Sequence, residues 1–485
     1  MPLAAAPVCL FLGLVGRSLL PWLFTTLVCW VAFAIAIALS LQLATGITIS
    51  YQLGGWPPPI GIEYRIDALS AVAILIVTGA SAAVSLYSRP TVLREIEPSN
   101  HGFFYTLFLL VVTGLSGVVM TGDAFNVFVF LEIASLSTYS LVALGGRKDR
   151  RALSAAYTYL VMGTIGATFF VIGVGLAYMV TGTLNMADLA ERLPSVAENR
   201  TLAAAFAFVA IGMGMKAALF PLHLWLPNAY TFAPSAVSAF LAGTSTKVAV
   251  YVLIRFFFSV FGLDYEFERV ALTTVFMPLG IAAMFVASIV AIFQVDAKRM
   301  LAYSSVAQIG YMILGISLAT TTGLSAAILH MGNHAIMKVA LFMTMGAIMY
   351  RIGTTSINQM AGLGRDMPWT MAAFVIGGLS LIGVPLTVGF VSKWYLIQAA
   401  LELGWWPIAM LIVLSSLLAV IYVWRIVEMA YLQPSPPDRH INRAPALMLI
   451  PMWILVLANI YFGIDASFPV QLSTNAAGLL LGAQP

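Results

Sequence analysis

The feature that most constrains this chain is a series of apolar runs, each about 20 residues long, that follow one another along almost its whole length. A run of that length can cross a bilayer as a single helix. Hydrophobic residues make up 61% of the sequence and charged residues only 9%. Such a composition excludes a soluble globular domain and indicates an all-α integral membrane protein.

We predict about 14 transmembrane helices from these runs. No composition shift or polar linker divides the chain, so residues 1–485 are predicted to form a single polytopic membrane domain, with a polar tail after Pro469. The predicted helices span residues 4–16, 20–45, 66–87, 103–121, 124–144, 153–181, 202–226, 235–260, 270–294, 301–319, 324–350, 370–401, 405–432 and 447–464.

The basic residues of the predicted loops indicate the orientation of the chain, because short cytoplasmic loops carry an excess of Lys and Arg. With an outside N-terminus, thirteen basic loop residues face inward and four face outward, so both termini are predicted on the outer side. No basic stretch resembles a nucleic-acid-binding patch. The inner set is Arg17, Arg89, Arg94, Arg147, Lys148, Arg150, Arg151, Lys298, Arg299, Arg351, Arg365, Arg439 and Arg443, and the outer set is Arg65, Arg192, Arg200 and Arg269.

Six charged or titratable side chains interrupt the apolar runs. An ion at the bilayer centre costs roughly 2.5–3.5 kcal/mol on the insertion scale, and residues retained there usually serve ion movement. These exceptions therefore indicate ion movement as the function. They are Glu132, Lys216, Lys247, His334, Lys338 and Lys393.

Glu132 and Lys216 are the first two of these residues. Glu132 lies about two turns inside a predicted helix and would protonate if buried alone, but a nearby buried lysine would keep it ionised. The alternative role for Glu132 is a purely structural interhelical hydrogen bond.

Lys216 precedes Pro221, which has no backbone N–H and should break the helix about one turn after the lysine. Backbone groups freed in a membrane need polar partners or a wet cavity.

Lys247 ends the hydroxyl-rich segment Thr244-Ser245-Thr246-Lys247 near the middle of a predicted helix. Burial in a low-dielectric medium disfavours the charged form of a lysine and makes its charge switchable. Snorkelling towards the membrane surface is the alternative reading. Arg255, further along the same helix, is predicted to be structural.

The segment from His330 to Lys338 is the densest polar site. His330, His334 and Lys338 stand at i, i+4 and i+8, which places them on one helical stripe about 80° wide and about 12 Å long. Histidine titrates near neutrality, so the stripe suits stepwise proton transfer. Zinc binding is the alternative, but the segment lacks the glutamate of HExxH and an obvious third ligand. No metal site is therefore predicted.

Lys393 follows Pro385 and Gly389, which together predict a second interrupted helix. Two proline-interrupted helices, each carrying a lysine and lying well apart in the chain, are typical of a transporter built from repeats.

Several of these segments resemble the antiporter-like subunits shared by respiratory complex I, membrane-bound hydrogenases and Mrp-type multisubunit cation/proton antiporters. The resemblance covers roughly residues 100–430, and the motifs occur in the expected order. The segments that carry it are residues 216–234, 298–305, 333–338 and 389–393.

This resemblance implies a subunit of 14 helices with two inverted five-helix repeats, each containing a broken helix. We expect the repeats at residues 103–260 and 270–432. It also implies a proton-translocating axis, in which Glu132 and Lys216 form an ion pair. The axis continues through Lys247, His334 with Lys338, and Lys393, and His330 is a nearby relay position.

Within the family, we favour the Mrp D-type subunit. Lys393 stands where one complex I subunit has glutamate, and the sequence from Leu226 to Tyr230 resembles that of the D-type subunit. The largest members also continue into a long lateral helix, whereas this chain ends about 20 residues after the last predicted helix.

The D-type resemblance implies a transporter subunit of the bacterial inner membrane, with no cofactor and no redox site of its own. Its expected partners are the other subunits of an antiporter complex, the lipid bilayer, protons and Na+.

The alternative function is that of the pumping subunit of a complex I-like NADH:quinone oxidoreductase or a membrane-bound hydrogenase. A membrane redox enzyme is disfavoured, because we find no haem-type histidine pair, CxxC set or dinucleotide-binding glycine motif. A structural scaffold would not explain the buried charges.

Overall fold

The computed structural model describes residues 1–14, 18–44, 46–263, 265–437, 439 and 441–482, and most of them are helical. Strands β1 (Ile49–Gln52) and β2 (Glu63–Ile66) form an antiparallel hairpin that pairs Ile49 with Ile66. The α-helices are α1 (Pro2–Leu14), α2 (Leu19–Leu43), α3 (Ala68–Glu95), α4 (His101–Met120), α5 (Ala124–Ala143), α6 (Arg151–Thr181), α7 (Met186–Arg192), α8 (Arg200–Lys216), α9 (Trp225–Phe232), α10 (Ser235–Gly243), α11 (Ser245–Ile254), α12 (Glu266–Ala271), α13 (Met277–Ile292), α14 (Ala297–Ser317), α15 (Thr321–Ile352), α16 (Leu363–Asp366), α17 (Pro368–Ile382), α18 (Val388–Glu402), α19 (Trp406–Leu432), α20 (Ala446–Ile464) and α21 (Ser467–Leu480).

The helices confirm the predicted class of an all-α, multi-pass membrane protein. Among the described residues, 11 helical segments are long and apolar enough to cross a membrane, and α1 and α17 are shorter apolar helices. Every predicted run overlaps one of these elements or a pair of shorter helices. Arg17, one of the basic residues used to orient the chain, lies outside the described residues.

Both proline-induced interruptions are present. α8 ends at Lys216 and α9 begins only at Trp225, with Pro221 in the intervening segment. α17 ends at Ile382 and α18 begins at Val388, on either side of Pro385. Each predicted repeat therefore contains one proline-interrupted helix, whereas the repeat boundaries and their inverted relation remain a prediction.

A third interruption was not predicted. Residues 235–260 are expected above as one helix, but α10 ends at Gly243 and α11 begins at Ser245. Between them Thr244 has φ −121° and ψ −62°, outside the helical region, and its hydroxyl donates to the carbonyl of Phe240 at 2.8 Å. No proline marks this break. The segment Arg255–Phe261 then continues as a π-helix.

Two other predictions about element ends were wrong. α3 continues to Glu95 rather than ending near residue 87, so Arg89 and Arg94 belong to the helix and not to a loop. The predicted polar tail after Pro469 lies within α21, which packs against α3 and α15 and buries Leu472. Its serine, threonine and asparagine content lowers the hydropathy of the segment. One apolar face is nevertheless enough to hold such a helix on a bundle.

Burial divides the helices into an inner and an outer group. α3, α10, α11, α14 and α15 are almost entirely enclosed, whereas α2, α19 and α20 present many large apolar side chains at the surface, as expected for a lipid-facing layer. Of the predicted axis, Lys247 and the segment from His330 to Lys338 lie on the enclosed helices α11 and α15, whereas Glu132, Lys216 and Lys393 lie on α5, α8 and α18.

Candidate functional site

Glu132 on α5 and Lys216 on α8 form an ion pair. The distance from Lys216 Nζ to Glu132 Oε1 is 3.4 Å, and Lys216 also donates to Ser135 Oγ at 2.8 Å. The side chains are 8% and 24% exposed for the lysine and the glutamate. Since Lys216 is the last residue of α8, its ammonium lies at the negative end of the helix dipole. At the break the Met215 carbonyl accepts from Trp225 Nε1 at 3.0 Å and from the backbone N–H of Ala218 at 3.1 Å.

A small cavity of about 30 Å³ lies beside this pair. Its wall includes Lys216, Ser135 and Ser245, the first residue of α11. Thr138 and Tyr139 add two hydroxyl groups to its wall. One water in the liquid takes about 30 Å³, and a buried water needs polar partners of this kind. The cavity can therefore hold a water between Lys216 and the start of the helix that carries Lys247.

Lys247 is fully buried and has no carboxylate partner among the five ion pairs of the described residues. Its Nζ donates to the backbone carbonyl of Ala242 and lies 3.4 Å from Thr246 Oγ1. Ala242 precedes the break at Thr244, so the interruption supplies the acceptor for the lysine. Neutral groups solvate this ammonium without cancelling its charge.

His330 on α15 connects three helices. Its Nε2 donates to Gln308 Oε1 on α14 at 2.9 Å, and its Nδ1 is hydrogen-bonded to Ser392 Oγ on α18 at 2.8 Å. A neutral imidazole that donates from Nε2 accepts at Nδ1, so Ser392 is the donor in that state. Protonation of Nδ1 would reverse this bond and turn Ser392, the neighbour of Lys393, into an acceptor.

His334 lies one turn further along α15, with its ring stacked on that of His330 at 5.9 Å between centroids. It is fully buried, and neither ring nitrogen has a hydrogen-bond partner within the described part of the chain. A buried polar group of this kind needs a hydrogen-bond partner, such as a water, to offset its desolvation. Lys338, one turn beyond, donates to the Leu301 carbonyl at 2.8 Å and to Ser304 Oγ at 2.5 Å.

Lys393 on α18 lies at the second proline break. Its Nζ donates to the carbonyls of Leu381 and Ile382, the last two residues of α17, at 3.0 and 2.9 Å. The same ammonium lies over the ring of Tyr311, 4.8 Å from its centroid. Gly383, which ends α17 with φ +95°, makes this approach possible, because a Cβ there would lie 3.0 Å from Lys393 Cδ.

All seven residues of the predicted axis lie within the described residues. The structure brings Glu132 to Lys216, stacks His330 on His334 and joins His330 to Ser392, the residue before Lys393 in the sequence. In the described part of the chain no direct hydrogen bond joins Lys247 to either Lys216 or His334. Proton transfer across those gaps requires water.

Sequence reasoning did not identify several polar contacts. Arg255, predicted to be structural, forms a two-bond ion pair with Asp67 at 2.6 and 2.7 Å. Glu95 and Lys298, both assigned above to the loop regions, are buried and share Ser235 as a hydrogen-bonding partner. Lys298 stands in one of the motifs that carry the family resemblance, which is the only signal that could have singled it out. Within the described residues, no cluster of three or more His, Cys, Asp or Glu could hold a metal ion.

Known proteins are similar to this chain over most of its length. The family described as "NADH:quinone oxidoreductase/Mrp antiporter, TM" matches residues 121–419. The protein named NADH-quinone oxidoreductase subunit N of Desulforudis audaxviator is 41% identical over 453 residues, which are 91% of this chain and 89% of the relative. The D-type subunit of the Na(+)/H(+) antiporter of Alkalihalophilus pseudofirmus is 32% identical over 437 residues, which are 90% of this chain and 87% of the relative.

Among solved structures, a chain of the Mrp complex from Dietzia sp. has the same fold. It superposes with a TM-score of 0.91 at 28% sequence identity, and the match covers 99% of this chain and 96% of that chain. The similarity extends over nearly the full length of both proteins, so it includes the segments that hold the three helix breaks and the axis residues.

Proposed function

Because the chain belongs to the NADH:quinone oxidoreductase/Mrp antiporter transmembrane family, we propose that it is the proton-translocating subunit of a multisubunit Mrp-type antiporter. The complex would exchange Na+ or another monovalent cation for protons across the bacterial inner membrane. Its termini would lie on the outer side, and its partners would be the other subunits of the assembly. The chain itself would carry no redox site.

The observation that carries this proposal is the way buried ammonium groups are placed at helix breaks. Lys216 ends α8, Lys247 donates to a carbonyl before the break at Thr244, and Lys393 donates to the last carbonyls of α17. Carbonyls and helix C-termini solvate a cation without neutralising it. Lys247 and Lys393 can therefore gain or lose a proton without breaking an ion pair. Lys216 cannot, because it is paired with Glu132.

Charge balance favours switching along this axis. Four buried lysines and one glutamate would carry a net charge of about +3 if all were ionised, which a low-dielectric interior disfavours. We infer that Glu132 holds the charge on Lys216. When that pair loosens, a proton moves through the small cavity towards Lys247, then across His334 and His330 to Lys393.

The test is ion exchange by the complete complex in sealed proteoliposomes. We predict that an imposed Na+ gradient drives proton movement in the absence of NADH and quinone, and that an imposed proton gradient drives Na+ movement. Asp366→Asn, which alters a partly buried ion pair with Arg439 outside the predicted axis, serves as the control and should exchange at the wild-type rate. Absence of exchange by the intact wild-type complex would contradict the proposed function.

The second candidate is the pumping subunit of a complex I-like oxidoreductase. It is favoured by the higher identity to the relative named NADH-quinone oxidoreductase subunit N, 41% against 32% for the D-type antiporter relative. The same axis would then be driven by redox chemistry in other subunits. Proton movement that appears only when a redox substrate is supplied would favour this candidate.

A further inference from the structure

A polar cavity of about 260 Å³ lies apart from the predicted axis. It opens where the loops after α5, α9 and α13 and the end of α15 come together, and the exposed residues Lys148 and Arg151 stand at its rim. Its inner wall includes Glu95 and Lys298, which are only 5% and 2% exposed. The cavity therefore extends from charges at the surface to two charges in the interior.

Ser235 connects these two buried charges. Its backbone N–H and its hydroxyl both donate to the Glu95 carboxylate at 2.7 Å, and its hydroxyl oxygen accepts from Lys298 Nζ at 3.4 Å. Lys298 also lies 3.4 Å from the carbonyl of Ala233. The serine hydroxyl thus donates to the carboxylate and accepts from the ammonium. Together these contacts make a continuous hydrogen-bonded path between the two charged groups.

The same cluster lies close to the axis through α14. Lys298 is the second residue of this helix, and Lys338 donates to the Leu301 carbonyl and to Ser304 Oγ of the same helix. With a rise of about 1.5 Å per residue, these acceptors lie about 4.5 and 9 Å along the helix from Lys298. Proton transfer between Lys298 and Lys338 along this stretch of α14 requires bridging water.

We propose that Glu95, Ser235 and Lys298 form the proton-exchange site that connects this cavity with Lys338. A proton passes from Lys298 Nζ to Ser235 Oγ while the hydroxyl proton of Ser235 passes to Glu95. The ion pair thereby becomes a neutral amine and a neutral acid. Glu95 releases its proton to water in the cavity, and Lys298 takes a new proton from Lys338 through bridging water. Uptake follows the same steps in reverse.

The inference rests on the proposed function, because the exchange site has a role only if the axis carries protons. A purely structural role is the competing explanation, in which Glu95 and Lys298 hold α3, α10 and α14 together. That role requires no open cavity beside the pair. It also does not require the serine hydroxyl, because the backbone N–H of Ser235 alone already anchors Glu95 to α10.

The test uses the complete complex in proteoliposomes, with proton flux measured while the pH on each side is varied separately. Glu95→Gln keeps the shape and the hydrogen bond from the Ser235 N–H but cannot carry the proton. We expect flux to fall about tenfold or more, as for loss of a positioned proton-transfer group, and to lose its dependence on pH at the cavity side only. Glu95→Asp should restore part of the flux and part of its dependence on pH at the cavity side.

The other charged groups that line the cavity are Lys148, Asp149, Arg151, Asp296 and Lys298.

Ser235→Ala is the second variant, because it removes the hydroxyl and leaves the backbone contact intact. We expect the same loss of flux with a normally assembled complex, and wild-type flux would overturn the inference. Glu132→Gln distinguishes this outcome from failure of the proposed function. If Glu132→Gln slows transport and the cavity variants do not, the exchange site is wrong and the axis stands. If none of them slows transport, both are wrong.

Discussion

Lys393 illustrates how single residues of the axis are adapted to exchange protons. Its ammonium is held by two backbone carbonyls and the face of Tyr311, and no carboxylate among the described ion pairs fixes its charge. Lys216 differs, because Glu132 lies 3.4 Å from it. We infer that the paired lysine starts the transfer and that the unpaired lysines carry it.

We predict that Lys393→Arg is nearly inactive despite its conservative appearance. Arginine keeps the positive charge but cannot deprotonate in a protein. Its broad guanidinium must also fit beside Gly383, where the lysine stem is already in close contact. Lys393→Glu should retain more activity, because a protonated carboxyl can donate to the same carbonyls and can still titrate. The measurement is proton flux in vesicles with the amount of assembled complex quantified.

Wild-type flux from an assembled Lys393→Arg complex would show that this position serves only as a fixed charge. The relay would then have to end at another residue.

Among the structural elements, the three helix breaks position the chemistry. The two breaks that contain proline could be predicted from the sequence, since proline removes a backbone donor and clashes with the preceding turn. The break at Thr244 could not, because it depends on how α10 and α11 pack against α3, α4 and α15. For the same reason the sequence located Lys247 within an apolar run but not its carbonyl acceptor. The bounds of most helices could be predicted from the hydropathy of the sequence. α21 could not be recognised in that way, because it contains too many polar residues.

We predict that Gly383→Ala impairs both stability and transport. A left-handed backbone conformation costs an alanine about 1–2 kcal/mol, and the new Cβ would lie 3.0 Å from Lys393 Cδ and 3.5 Å from its Nζ. The matched control is Gly353→Ala, because Gly353 has φ +79° but no described atom within 4 Å of the added Cβ. Thermal denaturation of the complex should show a similar loss in both variants.

Proton flux should separate the two glycine variants. Only Gly383→Ala should transport more slowly, because only that Cβ displaces the ammonium from the carbonyls of α17. Equal flux in the two variants would mean that the close packing at Lys393 has no part in transport.

In the whole molecule, an outer layer of apolar helices surrounds an inner group that carries several of the buried charged residues, among them Glu95, Lys247, Lys298 and Lys338. The sequence predicted that charged residues lie inside the long apolar runs, because such residues are usually retained there for ion movement. It could not show which charges meet across helices. Glu95 and Lys298 belong to elements about 200 residues apart in the chain, and only the fold brings both of them to Ser235.

The central claim is that protons cross this subunit along one axis of buried residues, and Lys247 stands in its middle, hydrogen-bonded to neutral groups of the described chain. The most direct measurement is proton flux by proteoliposomes that contain the complete complex with Lys247→Gln. This change keeps a polar side chain that can still donate to the Ala242 carbonyl but removes the proton-carrying amine. We predict a fully assembled complex with nearly no proton flux, alongside an Asp366→Asn control at the wild-type rate. Wild-type flux from Lys247→Gln would contradict a continuous axis through this subunit.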